Sequence, residues 1–215
     1  MKRRSVAHKI LDFATFPVRA LVLFHDDRWG LSSLASERFD YVAREVIGYC
    51  LDVGCGRHNR FVTDYRDGQG IGIDVFPYEG LSTENVVADL SRFPYEDATF
   101  ESVTFIANIN HVPESQRDIE LGEAHGVLKP MGNVVVTMGN PLAELLVHKV
   151  VWLYDRLLKT QLDMDSERGM HEDEEFYLTD AEIVDRLTRA GFNRIDKKYF
   201  PTQWGLNHLF VGWKE

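Results

Sequence analysis

From Cys50 onward this 215-residue chain alternates short apolar, β-branched runs with amphipathic helical stretches, and that alternation narrows the available folds more than any other feature. CLDVG, GIGIDVF, FESVTFIAN and VVVTMG read as strands, VVADL as a short extended piece, and NRFVTDYRD, SQRDIELGEAHGVLK, LAELLVHKVVWLYDRLLK and TDAEIVDRLTRAGF as helices between and after them. Strands joined through helices pair in parallel. A parallel sheet is covered on both faces, which is why FESVTFIAN is apolar almost throughout. RIDKKYF and HLFVGWK have no helix between them, so they are expected to form a hairpin with one strand antiparallel to the rest. Gly68 or Gly70 ends the first helix, KPMGN forms a turn after the second, and Thr179 and Gly191 bracket the last as N-cap and stop. Upstream, residues 5–24 read as a helix with a break or kink near Pro17. SSLASERFDYVAREVIGY reads as a second helix, capped by Ser33 or Ser36, with Phe39, Val42, Val46 and Ile47 as its apolar stripe.

An apolar fraction of 44% fits one globular domain, and a formal charge of −10 argues against generic nucleic-acid binding. The charge is segregated: Thr160–Asp185 carries ten Asp or Glu against Arg168, whereas Met1–Arg28 carries six Lys or Arg against three Asp. The basic start resembles a secretory signal only superficially, because Asp12, Pro17 and Arg19 interrupt its apolar run and no cleavage site follows. No run of about 18 uninterrupted apolar residues occurs, so no transmembrane helix is expected. Two roles fit the amphipathic N-terminal helix, resting on a membrane surface or covering a pocket, and the covering role is preferred. Cys50 and Cys55 lack a metal-binding spacing and read as reduced thiols of a cytoplasmic protein. His171 with Glu172, Asp173, Glu174 and Glu175 reads as a solvated charge run rather than a metal site.

The sharpest local signal is LDVGCGRHNR, residues 51–60. A buried strand runs into an acid and two glycines, Gly54 and Gly56, which let the backbone turn sharply and approach a ligand closely. Ligands of open α/β sheets bind outside the carboxyl ends of the strands. Asp74 lies 20 residues after Gly54 at the end of the second strand, where a carboxylate can accept hydrogen bonds from both ribose hydroxyls. An adenosine-containing cofactor follows. The dinucleotide pattern GxGxxG is incomplete, because Asn59 stands at its third glycine.

LDVGCG, IGIDV, ADLSRFPYEDATFESVTFIANINHVPE, GVLKPMGNVVVTMGNP and LTRAGF, in this order, resemble the class I S-adenosylmethionine-dependent methyltransferases of the small-molecule "type 11" branch. The resemblance runs from about Cys50 to the C-terminus. It implies a Rossmann-like, seven-stranded, mostly parallel sheet ending in an antiparallel hairpin, and S-adenosylmethionine as cofactor. It implies that Gly54 and Gly56 pass beneath the methionine part, Asp52 orients the loop and the amino group, and Asp74 holds the ribose. Asp89 would meet the adenine amino group with Leu90 beside the ring, and Asn108 would line the transfer site. Cys55 and Val75 flank these positions in the same cofactor-binding set. His111, in NINHVPE, matches the second His of the family's HHLPD ending. Three positions depart from the pattern: His58 replaces the third glycine of GxGxG, Asn110 stands at the first His, and Met131 replaces a glycine of KPGG.

Methyl transfer needs an aligned acceptor and, for a hydroxyl, a base that titrates near neutrality. His111 is the first candidate and His58 the second. The expected organisation is one domain: an N-terminal helical extension at 1–49, a cofactor core at 50–139, an insert at 140–178 read as a lid, and a C-terminal helix and hairpin at 179–215. The extension, with Phe13, Phe16, Phe24, Trp29 and Phe39, and the insert, with Leu142, Leu145, Leu146, Val150, Trp152, Leu153 and Leu157, are expected to select the acceptor. The expected reaction is methylation of a small or medium-sized molecule, at the oxygen of a sugar, lipid-linked precursor or ring. The competing readings are a nicotinamide-dependent oxidoreductase and a non-catalytic binding module. The sequence leaves open the acceptor atom, the oligomeric state and peripheral membrane contact.

Overall fold

A computed structural model describes residues 4–139 and 178–215. Six strands form one sheet: β1 (Cys50–Val53), β2 (Gly70–Ile73), β3 (Phe100–Phe105), β4 (Leu128–Gly139), β5 (Arg194–Tyr199) and β6 (Asn207–Trp213), in the order β2-β1-β3-β4-β6-β5. The first four are parallel, and β6 runs antiparallel to both β4 and β5, as the missing helix between the last two strands predicts. The main helices are α1 (Val6–Val22), α2 (Leu34–Val42), α3 (Glu114–Val127) and α4 (Asp180–Arg189).

Alternation along the strands divides the core in two. Val134, Val136 and Phe210 pack with Leu121, Ala124 and Val127 of α3 and with Ile183 and Leu187 of α4. Val135, Leu209 and Val211 pack on the opposite face with Val42 of α2 and with Phe61, Val62 and Tyr65 of the segment after β1. The caps fall where turn chemistry requires them. Ser33 Oγ accepts the Ser36 amide at 3.1 Å to start α2, and Thr179 and Glu182 form a capping box at the start of α4.

Four expectations are corrected. The seventh strand, VVADL, is reduced to one parallel bridge between Asp74 and Val86. Beyond it Asp89 turns back on the Ser91 amide, ending the extended run, so the sheet has six strands among the described residues. The second helix stops at Val42 instead of reaching Tyr49. KPMGN is not a turn: β4 runs through it with a register irregularity. Met131 sits at φ 65°, its amide donating to Lys214 O, while Lys214 N donates to Gly132 O. Pro17 does not break α1, which continues to Val22. A proline cannot donate to the carbonyl four residues back, and that carbonyl, Phe13 O, instead accepts Trp204 Nε1 at 2.9 Å. The helix expected over residues 142–159 and the acidic run after it lie outside the described residues.

Candidate active site

Asp52, Gly54, Cys55, Gly56, Asp74 and Asn108 converge at the carboxyl ends of β1, β2 and β3. β1 lies between β2 and β3, so the loop after it is flanked by the ends of both neighbours. The amides of Gly54 and Cys55 both donate to Ile73 O, at 2.8 and 3.1 Å. The Gly56 amide donates to Asp74 Oδ2 and the Phe76 amide to Oδ1, each at 3.0 Å. The Asp74 carboxylate is thereby fixed in orientation, and each oxygen keeps a lone pair for a further donor.

The two glycines are required for different reasons. Both are left-handed, at φ 71° and 64°. A Cβ on Gly54 would lie 2.4 Å from Asn108 Cγ, whereas one on Gly56 would meet nothing within 4 Å. The Asn108 amide thus closes over Gly54, and open space remains above Gly56. Asn108 Nδ2 is buried and has no hydrogen-bond partner among the described residues. A donor awaiting an acceptor, an anchored ribose-type carboxylate and an open glycine cradle fit the nucleoside and amino-acid portions of S-adenosylmethionine.

His58, at the position of the missing third glycine, takes the glycine conformation itself, with φ 60°, and Asn59 follows at 46°. Its amide donates to Glu79 O at 2.8 Å, and its ring lies where a side chain on Gly80 would be, with Nδ1 2.1 Å from that Cβ position. The ring of this second base candidate is therefore turned toward the loop after β2. His111 ends the 3-10 turn Ile109–His111 directly after Asn108, its amide bonded to Asn108 O. Leu90 is buried, while Val75 and Asp89 are exposed. Asp89 Oδ1 accepts both the amide and the hydroxyl of Ser91, which hold its carboxyl below the ordinary range.

Burial dominates the titration of the interior. It pushes Asp52 up to about 7; the Thr104 hydroxyl, donating to Oδ1 at 2.6 Å, opposes the shift and the Asp74 charge adds to it. An added cation would favour its ionised form. Burial, then the charges of Asp52 and Asp74, also raises the Cys55 thiol, which suits a small turn residue and not a nucleophile.

Sequence reasoning missed Thr104 and Glu120. Glu120 lies on the inner face of α3 at the helical spacing of Arg117, Leu121 and Ala124, which was the available signal. Burial, reinforced by the Asp89 charge, pushes it up to about 8, and Oε2 has no partner among the described residues. Between its ordinary 4.5 and about 8 the folded chain keeps a proton that the unfolded chain releases, so stability falls as pH rises through that window. Glu120→Gln is therefore expected to gain stability relative to the parent by up to about 5 kcal/mol on going from acidic to alkaline pH. Urea melts at the two ends of the window check this, and an equal difference at both would refute the burial of an ionisable carboxyl there.

The sheet order, the glycine loop and the carboxylate at the end of β2 define the class as a Rossmann-like domain for a nucleoside cofactor. Residues 51–136 match the family of the methyltransferase domain. That match to a methyltransferase domain sets the dinucleotide reading aside. The chain is 28% identical over 153 residues to the ubiquinone/menaquinone biosynthesis C-methyltransferase UbiE of Brucella anthropi, covering 67% of this chain and 57% of that protein. It is 26% identical over 176 residues to the mitochondrial arginine-hydroxylase NDUFAF5 of Mus musculus, covering 66% and 50%. The chain thus spans about half the length of these relatives. Among solved structures, an S-adenosylmethionine-dependent methyltransferase from Archaeoglobus fulgidus superposes with a TM-score of 0.61 at 13% identity, covering 84% of this chain and 93% of that one, a likeness of fold.

Proposed function

We propose that the whole chain transfers a methyl group from S-adenosylmethionine to a small or medium-sized acceptor, at the oxygen of a sugar, a lipid-linked precursor or a ring hydroxyl. The observation that carries this reading is the convergence of the Gly54–Gly56 loop, Asp74, Asp52 and Asn108 at adjoining strand ends. The cofactor, when bound, supplies an electrophilic methyl carbon on a sulfonium. Asp74 accepts the ribose hydroxyls, Asp52 behind the loop favours an ammonium, and Asn108 offers Nδ2 at the transfer side. The His111 imidazole would take the proton of an acceptor hydroxyl aligned there.

A second acceptor atom has specific support: UbiE of Brucella anthropi is named a C-methyltransferase of quinone biosynthesis, so an electron-rich ring carbon is the alternative to oxygen. Selection of the acceptor falls to residues 1–49 and 140–178. Within the first of these, Phe16 is buried, whereas Phe13 and Trp29 face solvent.

Calorimetric titration with S-adenosylhomocysteine, with NAD as control, tests the cofactor. Asp74→Ala is expected to weaken binding about 100-fold, the loss of two charge-assisted hydrogen bonds of roughly 1.5 kcal/mol each. Unchanged affinity in the variant, or tighter binding of NAD, overturns the reading.

A further inference from the structure

Helix α1 is built inside out. Its inward side carries Asp12 and Arg19, both fully buried, and every exposed residue from Val6 to Val22 is apolar. Val6 is 74% exposed, Ile10 64%, Phe13 52% and Val18 55%. The outward side of a helix about 25 Å long thus presents a largely apolar face, with the partly exposed His8, Lys9 and Thr15 at its margins. Rotation cannot relieve this exposure. Arg19 donates to Asp12 O at 2.7 Å, Ser32 O at 2.9 Å and Thr202 O at 3.1 Å, and to Glu37 Oε2 at 3.1 Å, locking the polar side inward.

We propose that α1 docks on an anionic lipid surface. Charge complementarity favours this occupant. In a chain of net charge −10, Met1–Arg28 carries six basic residues against three acidic ones. Those acids are engaged within the protein: Asp12 with Ser32 and Arg19, Asp26 with Arg60, and Asp27 with Ser33 and Ser36. The sequence leaves that segment a net charge of +3 beside the apolar stripe. This is the arrangement of a helix lying in a bilayer interface. A protein partner would leave some polar register on such a face, because even the buried centre of an interface is only about 65% apolar.

The placement joins this surface to the site. The turn between β5 and β6 lies at the carboxyl end of β4, where Asn207 pairs with Gly139, and α1 is fastened to it through Thr202 O and Trp204 Nε1. The helix therefore sits at the same end of the sheet as Gly54 and Gly56, and docking turns the mouth of the site toward the bilayer. Resting on the functional reading above, this selects an acceptor with a lipid tail from the classes proposed there.

Flotation of the full chain with phosphatidylcholine vesicles, with and without phosphatidylglycerol, tests the proposal. The protein is expected to float with the anionic vesicles, and Ile10→Glu/Leu21→Glu to lose about tenfold or more of that binding while retaining S-adenosylhomocysteine affinity. Ile10→Gln/Leu21→Gln, which adds no charge, gives the same readout if the first pair fails to fold. No flotation of the parent, equal flotation with both vesicle types, or a parent dimer that the variants convert to monomer would overturn it, the last by assigning the face to a second copy. Failed cofactor titration with intact flotation would instead refute the catalytic reading and leave the docking surface standing.

Discussion

Gly54→Ala is expected to weaken S-adenosylhomocysteine binding by roughly 30- to 100-fold while leaving the sheet folded. Two penalties combine. At φ 71° a residue with a Cβ pays on the order of 1 kcal/mol or more for the left-handed conformation. The new methyl would also stand 2.4 Å from Asn108 Cγ and 2.6 Å from Nδ2. The Asn108 side chain can swing away, but it swings out of the position from which its amide serves the transfer side. Together these amount to roughly 2–3 kcal/mol, most of it expressed in the ligand-binding loop. The double variant Gly54→Ala/Asn108→Ala separates the contributions: it removes the collision and keeps the backbone strain, so it should recover part of the affinity. Calorimetry on the three proteins checks this, and parental affinity in Gly54→Ala would show that the loop is not the cofactor cradle. Gly56→Ala, with open space around its Cβ position, is expected to keep the fold and to lose affinity through the filled cradle.

The second large effect lies away from the site. Arg19→Ala should cost about 3–5 kcal/mol, because removing one member of a buried ion pair leaves the others charged and unpaired. The guanidinium is wholly buried and bridges α1, the Ser32–Glu37 stretch and the turn before β6. Without it Glu37 Oε2 keeps only Gln203 Nε2, at 2.8 Å, and the Asp12 and Thr202 carbonyls lose their donor. For a chain of this length the melting temperature should fall by about 10 °C or more. Arg19→Lys keeps the charge without the planar fork and should recover a fraction of the loss. Thermal melts read the series, and a change within 1 °C for Arg19→Ala would mean that the network does not hold the N-terminal helices to the core.

Much of the sheet was legible because its signals are local. FESVTFIAN carries a near-continuous apolar run because β3 is covered on both faces, and RIDKKYF and HLFVGWK pair as a hairpin because no helix intervenes. VVADL does not grow into a seventh strand because it lies at the sheet edge. How far an edge strand extends depends on its pairing, and pairing stops when Asp89 bonds back to Ser91. KPMGN carries turn chemistry, yet the antiparallel partner β6 and the Lys214 backbone beyond it hold the segment extended.

The sequence by itself determined the parallel architecture, the place of the glycine loop and the carboxylate that answers it, because periodicity, left-handed φ and strand-end position are properties of a few adjacent residues. Tertiary structure alone decided which side chains face one another. Thr104 reaches Asp52 because β3 lies beside β1 after a long crossover. Glu120 is buried because α3 packs that face on the sheet. Asp12 and Arg19, which in the sequence only interrupt an apolar run, turn inward because partners outside the helix, among them Ser32, Glu37 and Thr202, satisfy them. That inward turn leaves the apolar side of the same helix facing out.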